Sequence, residues 1–152
     1  MKKEIKAPNQ ITDEERSKNF VVFLAGSIEM GKAENWQEKV KRIYPMEDNV
    51  IFLNPRRDDW DSSWVQSINN PQFREQVEWE LFNLEICNEI ILYFDPKTKS
   101  PISLLELGLF ANSEKLKVIC PDGFWRKGNV EIVCRRYEIP LFNSLEEAFP
   151  LN

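Results

Sequence analysis

Five short apolar runs, separated by stretches of helical periodicity, constrain the fold of this chain more than any other feature. Residues 20–25 (FVVFLA), 50–53 (VIFL) and 90–94 (IILYF) are apolar without alternation, so each reads as a strand buried on both faces. Residues 118–120 and 140–142 are shorter runs of the same kind. Between them, Trp36, Val40, Ile43 and Tyr44 recur at helical spacing over 33–44, until Pro45 stops the pattern. Pro71 suits a helix start, and Phe73, Val77, Leu81 and Leu84 then form one stripe to about residue 87, with Arg74 and Glu78 paired outside it. Helices over 102–113, 129–137 and 144–149 complete the alternation. Strands alternating with helices at this spacing predict an α/β fold, a single-domain doubly wound parallel sheet of five strands, flavodoxin-like or Rossmann-like. The 152 residues suffice for one core, so residues 1–19 are read as a polar N-terminal extension and 20–152 as the domain.

The chain has no histidine, which removes Ser-His-Asp, Cys-His and His-metal chemistry. Any acid-base or nucleophilic work falls to carboxylates. Net charge is -5, with no Lys/Arg run dense enough to follow a phosphate backbone, so polymeric nucleic acid is not an expected partner. Cys87, Cys120 and Cys134 are scattered and odd in number, which points to a reduced compartment and to no zinc or disulfide framework. The opening residues lack the apolar stretch of a secretory signal, and no run approaches the ~20 apolar residues that cross a bilayer. A cytoplasmic protein without a membrane partner is expected.

In a doubly wound sheet the ligand sits at the carboxyl ends of the strands, which selects loops 26–31, 54–70, 95–103 and 121–129. The first, GSIEMG, follows a strand and reads either as a tight turn or as a cradle for an anion or ribose hydroxyl built on Gly26 and Ser27. It lacks the GxGxxG spacing, and Glu29 opposes a pyrophosphate, so a dinucleotide is disfavoured. Ser103 and Glu106 have the SxxE spacing of a capping box. Alternatively, Glu106 lies in the first helical turn facing the cleft, kept ionised by the helix dipole and suited to act as a nucleophile. Gln76 and Glu80 share a helix face that is either solvated or brings a second carboxylate toward Glu106. The stretch NPRRDDW, from Asn54 through Arg57 and Asp58 to Trp60, reads as mutual ion pairs or as recognition of a heteroaromatic base.

Taken together, FLAGSI at 23–28, ELFNLEICNEIILYFDP at 80–96 and LLELGLFA at 104–111 resemble the nucleoside 2-deoxyribosyltransferase family over about residues 20–134. The resemblance implies that Glu106, in the ELG element, is the nucleophile, which forms a deoxyribosyl ester. It also implies that Glu80, where the family usually has aspartate, positions sugar and nucleophile. Pro121 and Asn129 match a family pattern in which the asparagine reaches a neighbouring subunit's site, implying a homo-oligomer with shared active sites. The family's acidic base-contacting residue, six positions before the nucleophile, is Ser100 here, so base specificity does not carry over. The related 2′-deoxynucleoside 5′-phosphate N-hydrolases have a basic residue where this chain has Glu29, although Lys32, Arg56 and Arg57 remain as cations for a phosphate.

The expected activity is cleavage of a (deoxy)nucleoside's N-glycosidic bond through a glycosyl-glutamate, with transfer of the sugar to another base. Hydrolysis of a nucleoside or its 5′-monophosphate, and a non-catalytic ligand-binding module, are the alternatives. Glu106 and Glu80 are the catalytic candidates. Gly26, Ser27, Asn54, Arg57, Asp58, Trp60, Gln76, Asp95, Ser103, Phe124, Trp125 and Asn129 are the candidates for binding a nucleoside or nucleotide and a free acceptor base. The chemistry calls for no metal and no organic cofactor.

Overall fold

The structure is a computed structural model and describes residues 2–28 and 35–151. Six parallel strands, β1 (Lys3–Lys6), β2 (Phe20–Gly26), β3 (Val50–Asn54), β4 (Glu89–Tyr93), β5 (Leu116–Ile119) and β6 (Leu141–Phe142), form one sheet in the order β1-β3-β2-β4-β5-β6. Among the described residues six helices accompany them: α1 (Asp13–Lys18), α2 (Trp36–Ile43), α3 (Pro71–Ile86), α4 (Pro101–Phe110), α5 (Lys127–Arg136) and α6 (Leu145–Ala148). Without β1, the strand order is that of the flavodoxin-like fold.

The sixth strand is the departure from the expected five. Residues 1–19, read as an extension from their polarity, supply β1, which pairs with β3 from Lys3↔Ile51 to Lys6↔Asn54. Only Ile5 of β1 is buried, so an edge strand this polar carries no apolar run to reveal it. The same segment supplies α1, closed by a reciprocal capping box in which Glu15 N–H donates to Thr12 Oγ1 and Thr12 N–H to Glu15 Oε1.

The non-alternating runs do become strands buried on both faces. On one face Val21, Phe23, Ala25, Leu53, Ile90 and Leu92 pack against Trp79 and Leu84 of α3, Leu107 of α4, and Val130 and Cys134 of α5. On the other, Val22, Leu24, Phe52 and Ile91 meet Trp36 and Val40 of α2, and Leu145 and Ala148 of α6. Helices therefore leave β2 and β4 toward opposite faces, which makes the ends of these adjacent strands the switch point of the sheet.

At that point the backbone leaves no room for a side chain. Gly26 pairs with Tyr93 and has φ +134, and a Cβ added to it would stand 2.3 Å from the Tyr93 carbonyl oxygen. No L side chain fits either the conformation or the space. Gly26→Ala is therefore expected to cost about 2–3 kcal/mol or more, roughly 5–10 °C in Tm for a domain of this size. Calorimetric unfolding checks this, and an unchanged Tm would mean that the strand ends are not held this closely.

Candidate active site

Directly after Gly26, Ser27 organises the cleft. Its amide donates to the Tyr93 carbonyl at 2.9 Å, and its Oγ accepts from the Asp95 amide at 2.9 Å. The same hydroxyl meets Thr98 Oγ1 at 3.0 Å and also bonds Ser100 Oγ, while Thr98 and Ser100 are themselves 2.6 Å apart. Thr98 Oγ1 donates in turn to the Asp95 carbonyl at 2.9 Å. All three hydroxyl residues are buried. This closed network joins the end of β2, the turn after β4 and the start of α4. Ser100 occupies the N-cap of α4 in the left-handed region, φ 45, and makes no side-chain cap because its hydroxyl is committed to the network.

α4 starts at Pro101, so Ser103 is its third residue and Glu106 lies in its second turn. The capping-box reading of this pair is thereby corrected: the helix begins before Ser103, and Ser103, Glu106 and Leu107 form its buried inner face. Glu106 is 8% exposed. Burial pushes its carboxyl up to about 8, and the charge of Glu80 on α3 adds to the shift. Burial likewise raises Glu80 to about 7, opposed in part by the Gln76 amide one turn earlier. Desolvation and a neighbouring like charge thus work against the helix dipole, worth ~0.3–1 kcal/mol, that is expected to keep Glu106 ionised. Gln76 is buried and donates to the Pro55 carbonyl at 2.9 Å, which leaves its Oε1 without a partner.

The other candidates divide. Trp125 lies over the start of α4, its Nε1 donating to the Lys99 carbonyl at 2.9 Å, and half its surface is exposed. Asp95 is buried and holds its own turn by accepting from the Lys97 amide at 2.8 Å. Asn129 is exposed as the third residue of α5. Trp60 is half-buried and meets Trp64 edge-on at 5.0 Å, and Asp58 is exposed, accepting from Lys6 Nζ at 3.3 Å. Three candidates are committed elsewhere. Asn54 spends both ends of its amide on the backbone of Arg56 and on Glu4. Arg57 is held by Asp59 at 2.7 Å and Glu75 at 2.8 Å and stacks over Trp64. Phe124 is buried against Phe94 at 4.9 Å as part of the core. Glu29, Gly31 and Lys32 lie outside the described residues.

Sequence reasoning missed several contributors. Trp36, read only as a core position, donates from Nε1 to the Ser27 carbonyl at 3.0 Å and stacks on Tyr93 at 5.3 Å. Thr98 carried no motif at all, and Gln37, which drew no reading, is completely buried.

A doubly wound α/β protein with a buried and a half-buried carboxylate beside its switch point is thus defined. Residues 19–124 match the family model described as nucleoside 2-deoxyribosyltransferase like, and the chain belongs to that family. No curated protein matches the chain. Among the described residues no helix is long and apolar enough to cross a membrane.

The raised Glu106 carboxyl has a thermodynamic consequence with a definite sign. The folded state holds a proton that the unfolded chain gives up, so stability is fully present below about pH 4.5 and is lost as pH rises toward about 8. Glu106→Gln removes this loss. Its Tm gain over the wild type is expected to be near zero at pH 5 and to grow by several degrees, roughly 1–2 kcal/mol, by pH 8. Scanning calorimetry at the two pH values reads this, and a pH-independent difference would contradict the buried, proton-holding carboxyl.

Proposed function

We propose that this protein cleaves the N-glycosidic bond of a deoxynucleoside by retaining displacement at the sugar and passes the sugar to a second base. The observation that carries the reading is the pairing of Glu106 with Glu80, one buried on the inner face of α4 and the other near enough on α3 to raise its carboxyl. Paired carboxylates whose environments perturb their proton affinities are the equipment for displacement at an anomeric carbon in a chain without histidine.

In the first step the ionised Glu106 attacks the anomeric carbon. A carbon–oxygen bond forms as the carbon–nitrogen bond breaks, and the base leaves with the electron pair. The two carboxyls share one proton near neutrality, and in the reactive form it sits on Glu80, which supplies it to the departing nitrogen while Glu106 is ionised. In the second step the nitrogen of an acceptor base attacks the same carbon and releases the Glu106 carboxylate. Water in the acceptor's place makes the protein an N-hydrolase with the same ester. A binding module that has lost catalysis leaves both acidic residues without a use. Gln76 Oε1, buried and unpartnered, suits a substrate hydroxyl or base N–H. Trp125, and Trp60 on its loop, are the aromatic faces for a base.

The outer face of α4 bears on assembly. Ile102, Leu105 and Leu109 are each more than half exposed, and the exposed Pro101 and Gly108 lie among them without a charge. A stripe of this kind suits a second copy of the chain, and a copy docked there would stand beside α5 and Asn129, in line with active sites shared between subunits. Leu105→Asp combined with Leu109→Asp is expected to reduce the mass measured by analytical ultracentrifugation to that of a monomer, and a wild type that is already monomeric would refute the shared site.

Chromatography of deoxynucleosides incubated with a second free base tests the reaction. Exchanged nucleoside establishes transfer, and release alone establishes hydrolysis. Glu106→Gln is expected to lower turnover by roughly a thousandfold or more while leaving the protein folded. Because only ionised Glu106 attacks, kcat/KM should rise with pH through an acid limb that belongs to the coupled pair. Glu80→Gln removes the repelling charge, so that limb should move to lower pH even as kcat falls. Wild-type turnover in Glu106→Gln would overturn the mechanism.

A further inference from the structure

A neutral polar layer lies one helical turn above the acidic pair. α3 and α4 each begin after the carboxyl end of a strand and pack on the same face of the sheet, so they run in the same direction, with Glu80 and Glu106 close enough to interact. Gln76 precedes Glu80 by one turn on α3, and Ser103 precedes Glu106 by one turn on α4. Each therefore lies nearer the strand ends than the acid that follows it. The anchors of the two helices agree with this level. Gln76 Nε2 donates to the carbonyl of Pro55, the residue after β3, and α4 is tied through its N-cap Ser100 to Ser27, the residue after β2.

Both side chains are more than nine-tenths buried, Gln76 at 5% exposure and Ser103 at 4%. The Gln76 amide gives its hydrogens to the Pro55 carbonyl and to Glu80, which fixes the direction of the amide and leaves Oε1 with no partner. Among the described residues Ser103 Oγ makes no hydrogen bond, not even back to its own helix. Buried polar groups left in this state are costly until a ligand meets them.

The chemistry of the two groups defines what meets them. Gln76 Oε1 only accepts, whereas Ser103 Oγ has a hydrogen to donate. A single group that satisfies both gives one hydrogen and takes another, which describes a hydroxyl. An ionised phosphate or a carbonyl has no hydrogen for Gln76, and a base N–H leaves the Ser103 hydrogen unused. Which hydroxyl it is follows from the side of attack. In a β-nucleoside the base and the 5′ carbon project from one face of the furanose ring and the ring hydroxyls from the other. Displacement brings Glu106 to the face opposite the base, so side chains one turn from Glu106 meet the ring hydroxyls. A 2-deoxyribose has one, on C3′.

We propose that Ser103 Oγ and Gln76 Oε1 together hold the 3′-hydroxyl of the sugar, so that the substrate class is the nucleoside with a free 3′-hydroxyl and sugars lacking or blocked at that oxygen are rejected. The assignment rests on the reading of Glu106 and Glu80 given above and adds to it the register of the sugar. With C1′ at Glu106 and the 3′ oxygen held one turn above, the ring can present only one face to the carboxylate.

The test compares each 2′-deoxynucleoside with its 2′,3′-dideoxy counterpart, by turnover in the full chain and by calorimetric titration into Glu106→Gln. The deoxynucleoside is expected to be preferred about a hundredfold or more in kcat/KM, because the dideoxy sugar leaves two buried groups unpaired. Ser103→Ala should cut that preference about tenfold, and the same loss should appear in binding when it is combined with Glu106→Gln. Its Tm should match the wild type's, since the hydroxyl has no partner to lose. Gln76→Leu should cut the preference similarly, and Ser103→Ala keeps the test decisive if loss of the Pro55 contact unfolds that variant. The acid limb of kcat/KM should stay in place in Ser103→Ala, whereas a limb that moves would assign the serine to Glu106 and overturn the proposal. Equal use of the two sugars overturns it as well, as does a preference that survives Ser103→Ala unchanged. Cleavage without discrimination would remove this subsite and leave the proposed reaction standing. Discrimination in binding without cleavage of any nucleoside would do the reverse.

Discussion

The approach of β2 to β4 at Gly26 and Tyr93 is the constraint on which the rest of the molecule depends. Because no side chain stands between them, the Ser27 amide reaches the Tyr93 carbonyl and its hydroxyl reaches the turn after β4. The three-hydroxyl network then extends that contact to Ser100, where α4 begins. A helix positioned through its N-cap residue by buried hydrogen bonds presents a fixed inner face, and Glu106 lies on it. The geometry of the acidic pair thus follows from a strand-end contact made many residues earlier in the chain.

Electrostatics at the pair are decided by burial. A solvated helix start would favour the carboxylate form of Glu106, whereas the inner face of α4 disfavours it and Glu80 adds repulsion. A carboxylate that is costly to ionise is less strongly solvated once ionised, and a poorly solvated oxygen is the better nucleophile. The position that makes Glu106 costly to the fold is the position that would suit it to the proposed displacement.

The alternation of apolar runs and helical stripes was enough to read five strands and the order of the elements, because β2, β3 and β4 are almost wholly buried, while the half-buried β6 follows from its place in the alternation. What escaped notice lacked either length or hydrophobicity. β1 contributes one buried side chain, Ile5, from a stretch otherwise composed of Lys and Glu. Its neighbour α1 did carry a legible signal, Thr12 three residues before Glu15, which was passed over while the same spacing at Ser103 and Glu106 was weighed as a cap. Local spacing cannot say where a helix starts, and here Pro101 starts it two residues before Ser103. In the candidate site, the two acids were legible from their helical positions. Asn54, Arg57 and Phe124 were credited to a ligand because their residue types suit one, and only tertiary contacts reveal that an amide, a guanidinium and a ring are already occupied. Gln37 went unread for the converse reason, since nothing in a sequence marks a glutamine as completely buried.

The polar character of residues 1–19 conceals a protective role. β1 covers β3, all five of whose residues are buried, and it turns toward solvent an edge carrying Lys3, Glu4 and Lys6. Lys2 further anchors it by donating to the carbonyls of Lys41 and Tyr44 at the end of α2. A chain trimmed where the apolar pattern begins would keep every element of the proposed reaction yet present Val50–Asn54 as a bare apolar edge, the template on which sheets of separate molecules join into aggregates.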